Sequence, residues 1–144
     1  MPTEIEQRCD TIEECYEFTL SYAARGLATE EGTDAGKQIR HHLTRALEAI
    51  SGLSVAGFAA IHAEPLALRE KYEAFLKVLE RDAQSSTAAI ELVLAQPVIS
   101  SQLIDNLNAS IHLRALLTDL FLITEILHLR ETQASAEAPV NAPE

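Results

Sequence analysis

The sequence predicts an all-α protein: a four-helix, mainly antiparallel bundle over residues 1–131, followed by a disordered tail over 132–144. Apolar residues recur at three- and four-residue spacing along four long stretches, the period of a helix with one buried face. Only 5 glycines and 5 prolines punctuate 144 residues, and there is no tryptophan. Alternating runs of β-branched and aromatic residues, the mark of strands, are missing.

The first helix is expected over residues 3–27, with Thr3 as its cap and Glu6 three residues on. Its apolar stripe reads Ile5, Cys9, Ile12, Tyr16, Leu20, Ala23 and Leu27. Cys15, Phe18 and Tyr22 form a second flank, which implies contact with more than one neighbour. The far face carries an acidic ridge of Glu6, Asp10, Glu13, Glu14 and Glu17. Solvation alone explains such a ridge. Glu13, Glu14 and Glu17 are also the candidate contact for a basic protein partner.

A loop follows at residues 28–36, marked by two glycines and by Asp34 as a cap candidate. Its Gly36-Lys37 ending fails as a phosphate loop, because Glu31 and Gln38 stand where that motif needs a glycine and a Ser or Thr. The second helix is expected over 35–62, with Ile39, Leu43, Ala46, Ile50, Leu53, Gly57 and Ile61 in its stripe. That stripe stays in phase through Ser51-Gly52, which favours one continuous helix with Gly52 facing outward. Small residues at Ala56, Gly57, Ala59 and Ala60 suit close approach of a neighbour.

Pro65 opens the third helix, over 65–95. Its stripe is unbroken from Leu68 through Tyr72, Phe75, Leu76, Leu79, Ala83, Ser86 and Ile90 to Val93 and Leu94. Gln96-Pro97 ends it. From Val98 the pattern restarts with Leu103, Ile104, Leu107 and Ile111, then swings by about 180° to Leu113, Leu116, Leu120, Ile123 and Leu127. One long helix burying different faces at its two ends fits this pattern. So does a break near Asn106–Ser110. The continuous form is preferred, since no strong breaker is present. Residues 111–129 are the most apolar stretch and are expected to be the central helix. Arg114, Asp119 and Glu125 interrupt them too often for a membrane span.

The net charge is −11, and residues 1–34 carry nine acidic and two basic side chains. This balance argues against binding nucleic acid or anionic membranes. Cys9 and Cys15 lie six positions apart, which on a helix is about 240° and 9 Å, too divergent for a disulfide between them. Reduced thiols and the lack of an export signal give a cytoplasmic expectation.

Glu125 and His128 have the Glu-x-x-His spacing that places two metal ligands on one helix face. The second such motif of a di-metal bundle is absent, so a helix-end pair or an interface rim is the competing reading. His41 and His42 diverge by 100° and cannot chelate one metal together. No nucleophile stands in a recognisable catalytic motif, and no cofactor is expected. The sequence thus points to a non-enzymatic interaction protein acting as a homodimer, with Leu117, Phe121 and Ile126 at the interface. The alternative is a small-ligand or metal-binding bundle using Glu125 and His128.

Overall fold

The computed structural model describes residues 2–137, and all regular structure among them is helical. In chain order the helices are α1 (Glu4–Ala24), α2 (Asp34–Ser51), α3 (Leu53–Ile61), α4 (Leu66–Leu94), α5 (Ser101–Ala109) and α6 (His112–Glu137). None is long and apolar enough to cross a membrane. The two organising helices are α1 and α4, each of which packs against α2, α3, α5 and α6. The stretch expected to be central, now within α6, packs on α1, α4 and α5 and leaves its outer face uncovered.

The start of α1 follows the sequence closely. The Thr3 hydroxyl accepts from the Glu6 N–H at 3.3 Å and donates to the Glu6 carboxylate at 3.0 Å. The buried stripe, however, is Ile5, Cys9, Ile12, Cys15, Thr19 and Tyr22. Its mean spacing is close to the 3.5 residues that closely packed neighbouring helices favour. The expected stripe has a wider mean spacing, so Leu20 is left exposed, Tyr16, Ala23 and Leu27 are partly buried, and Cys15 and Tyr22 of the second flank are fully buried. On that flank Phe18 stacks on His42 of α2 with ring centroids 4.1 Å apart.

The expected second helix is divided at Gly52, because of a residue on α1. Arg8 Nη1 donates to the carbonyls of Glu48 and Ala49, each at 3.1 Å, and so closes the end of α2. A Cβ on Gly52 would overlap that guanidinium. Gly52 therefore faces Arg8 rather than open solvent, and α3 starts afresh at Leu53. Gly57 admits α4: a Cβ there would come to 2.9 Å of Leu76 Cδ2. Thr33, not Asp34, caps α2, accepting from the Gly36 N–H at 2.9 Å. Gly36 owes its identity to packing, since a Cβ would overlap the Glu30 backbone.

The buried stripe of α4 runs from Tyr72 to Val93 as expected, with Leu68, Phe75 and Leu94 partly buried beside it. The last expected helix is broken at Ile111, which has φ 64°, a left-handed conformation unusual for a β-branched residue. The Ser110 N–H donates to Asn106 O at 3.0 Å to close α5, and the Ala115 N–H donates to Ile111 O at 2.8 Å to open α6. The break lets Ile104 and Leu107 face the same core as Leu113, Leu116 and Leu120, which a continuous helix would place on opposite sides. Beyond Glu131, α6 continues through residues 132–137, six positions into the segment expected to be disordered. The rest of that segment lies outside the described residues.

A polar knot ties α1 to the C-terminal end of α4 and the start of α5. Tyr22 Oη donates to Ile99 O at 2.6 Å, and Ser101 Oγ donates to Tyr22 O at 2.6 Å. The Leu27 N–H donates to Ser101 Oγ at 2.8 Å, and the Ser101 N–H donates to Leu27 O at 2.8 Å. With Glu30 and Arg40 these bonds satisfy the backbone groups that the helix ends leave open.

Candidate interaction surface

The outer face of α6 exposes a run of large apolar side chains. Phe121, Leu122, Ile126 and Leu129 are 45%, 51%, 37% and 56% exposed, while Leu116, Leu117, Leu120 and Ile123 on the inner side are buried. Leu117, expected at an interface, is therefore committed to the intramolecular core. Phe121 and Ile126 remain open. Leu122, Ile126 and Leu129 follow a 4–3 spacing, which aligns them as one seam along the helix.

On the other side of Phe121, α1 and α6 enclose a shallow cleft of about 320 Å³. Glu6, Asp10 and Glu13 line it from α1, and Phe121, Glu125 and His128 line it from α6. The fold thus brings Glu13 of the expected acidic ridge to the same cleft as both expected metal ligands. Glu14 turns the other way and pairs with Arg45 of α2 at 3.5 Å, while Glu17 is exposed. Among the described residues, no set of three or more His, Cys, Asp or Glu side chains is arranged to hold a metal ion. Cys9 borders the cleft but is buried, and burial with the nearby Asp10 carboxylate pushes its thiol up to about 12. Burial raises Cys15 likewise to about 12. Neither thiol is a ready nucleophile or ligand at neutral pH.

A second chemical feature, missed from the sequence, lies on the opposite flank of α6. Asp119 of α6 feels the charge of Asp82 on α4, the helix against which α6 packs. Its Oδ2 is buried without a partner. Burial first, and Asp82 second, push the Asp119 carboxyl up to about 7. At the far end of the seam, Arg130 of α6 acts on Tyr72 of α4 and binds Glu64 at 3.0 Å. On α4, which packs against α6, Val78 is 43% exposed. The signal for this site was a carboxylate within the most apolar stretch of the chain; its partner lies 37 positions earlier.

Comparison with protein-family models, with curated proteins and with solved structures finds no match to this chain.

Proposed function

We propose that this chain is a non-enzymatic, cytoplasmic protein-interaction bundle that works as a homodimer. Its scaffold is read as four antiparallel rods, with α2–α3 and α5–α6 each forming one interrupted rod. The observation that carries the reading is the seam of Leu122, Ile126 and Leu129, exposed on a helix whose opposite side is fully buried. A helix apolar on both sides calls for a second cover. A second copy fits for a reason of side-chain shape. In heptad terms Leu122 and Leu129 take d positions and Ile126 an a position, the combination that favours two-stranded pairing. Twofold pairing is also the commonest assembly.

The acidic side of α1, with Glu13, Glu14 and Glu17, is the proposed contact for a basic protein partner. A metal or small-ligand role for Glu125 and His128 ranks second. Within the described residues of one chain they lack a third ligand, which a paired copy would have to supply. Replacing both Leu122 and Ile126 by Glu is expected to give a folded monomer. A double variant of native helicity that remains paired overturns the proposed interface.

A further inference from the structure

We infer that the corner between α3 and α6 is a binding site for an amphiphilic amine, whose apolar body fills an alanine-walled cavity and whose ammonium sits at the rim between Glu6 and Glu131. The small residues of α3 serve two different neighbours. Gly57 admits Leu76 of α4, whereas Ala56, Ala59 and Ala60 line a cavity of about 590 Å³. To the same cavity α1 contributes Ile5, and α6 contributes Leu127 and Ala134. Both α3 and α6 pack on α1 and α4. Beside the gap the Glu64–Arg130 ion pair, at 3.0 Å, ties the α3–α4 turn to α6. Ala59 and Ala134 are exposed, so the apolar wall is open to a molecule arriving from solvent. A hollow of this size between the helices of a bundle, apolar inside and edged by a few charged groups, suits a small molecule.

The rim selects the head group. Glu4, Glu6, Glu64 and Glu131 line the cavity, against Arg130 as the one basic side chain among its described lining residues. Glu4 is held by Arg8 at 2.9 Å, and Glu64 by Arg130. Glu6 and Glu131 make no ion pair among the described residues. They come from different helices, and both also border the adjoining cleft at Pro2 and His128, which places them on the edge the two hollows share. An ammonium between them gains charge-assisted hydrogen bonds. A carboxylate head would meet two like charges there, and a neutral head gains apolar burial alone. The net charge of −11 also favours the approach of a cation.

Leu127 and Ala134 lie seven residues apart, on a stripe of α6 turned away from Leu122, Ile126 and Leu129. The site therefore belongs to the single chain and stands apart from the homodimer reading.

Titration of n-octylamine, n-octanol and n-octanoate into the full chain at pH 7, followed by amide chemical shifts, compares one apolar body carrying three heads. Octylamine is expected to bind roughly fivefold more tightly than octanol, and octanol more tightly than octanoate, with the largest shifts at Ala56, Ala60 and Leu127. Ala59→Leu and Ala134→Leu fill the cavity from two different helices at exposed positions, so a folding defect peculiar to one does not spoil the test. Each is expected to weaken octylamine roughly tenfold with native helicity. The double variant Glu6→Gln, Glu131→Gln is expected to reduce octylamine to the affinity of octanol and to leave octanol unchanged. No saturable shift from octylamine up to about 2 millimolar overturns the site, as do octylamine shifts that both leucine variants leave unaltered. Octanoate binding as tightly as octylamine overturns the assigned head group. Monomeric wild type that binds octylamine as expected supports the site and removes only the dimer.

Discussion

The guanidinium of Arg40 on α2 grips the carboxylate of Glu30 in the preceding loop through two bonds, Nε at 2.6 Å and Nη2 at 2.8 Å. The same guanidinium donates to Leu94 O at 2.9 Å and Gln96 O at 2.8 Å, closing α4, while Glu30 accepts from the Ile99 N–H at 3.1 Å. One planar cation thus joins the first loop to the turn between α4 and α5, with two bonds to the carboxylate and two to orphan carbonyls.

Arg40→Ala is expected to lower unfolding free energy by about 2–3 kcal/mol, since it strands a half-buried carboxylate and two carbonyls. Arg40→Lys recovers less than half of that, because an ammonium cannot reproduce the fork. Urea melts check both. The hydrogen bond from Arg40 holds the Glu30 carboxyl below its usual range. The stabilisation is therefore present above the ordinary carboxylate pKa and is lost as pH falls through the lowered value. The difference in stability between wild type and Glu30→Gln should shrink on acidification. A gap that widens toward low pH contradicts the assignment.

Gly52→Ala is expected to destabilise by about 1–2 kcal/mol, although helix propensity alone favours alanine by about 1 kcal/mol. The added Cβ would enter the space of the Arg8 guanidinium and dislodge it from the carbonyls of Glu48 and Ala49. In an Arg8→Ala background the same substitution should become neutral or stabilising. A double-mutant cycle measures this coupling, and additive effects would show that Arg8 does not set the break.

Ile111→Gly is expected to raise stability by about 0.5–1 kcal/mol, since the left-handed conformation penalises a β-branched residue and not glycine. The isoleucine side chain is 61% exposed, so little packing is lost. Thermal melts showing a clear loss of stability would mean that the Ile111 side chain contributes more than its backbone costs.

These residues also mark where the sequence was legible. The α4 stripe from Tyr72 to Val93 could be read because one side chain after another meets the same core, so local periodicity carries the whole answer. The Thr3–Glu6 box was readable for the same local reason. Gly52 was not, because its neighbour Arg8 lies 44 positions earlier and the stripe itself runs through the break in phase. Ile111 carries no breaker chemistry; its conformation is imposed by the need of α5 and α6 to bury opposite arcs in one core. The exposed apolar side of α6 was legible as apolarity beyond one stripe. Assigning Leu117 to the inner side and Leu122 to the outer side required knowing where α1 and α4 sit. Asp119 was visible as a charge among leucines, but its meaning depended on Asp82.

The subunit count of the untagged protein tests the central proposal most directly. Sedimentation equilibrium at pH 6 on wild type and on Ile126→Glu, over micromolar to roughly 100 micromolar protein, should give wild type at twice the 15.8 kDa chain mass and the variant at the chain mass with unaltered helicity. Wild type that stays monomeric over that range, or a folded Ile126→Glu that pairs as wild type does, contradicts the role assigned to the outer face of α6.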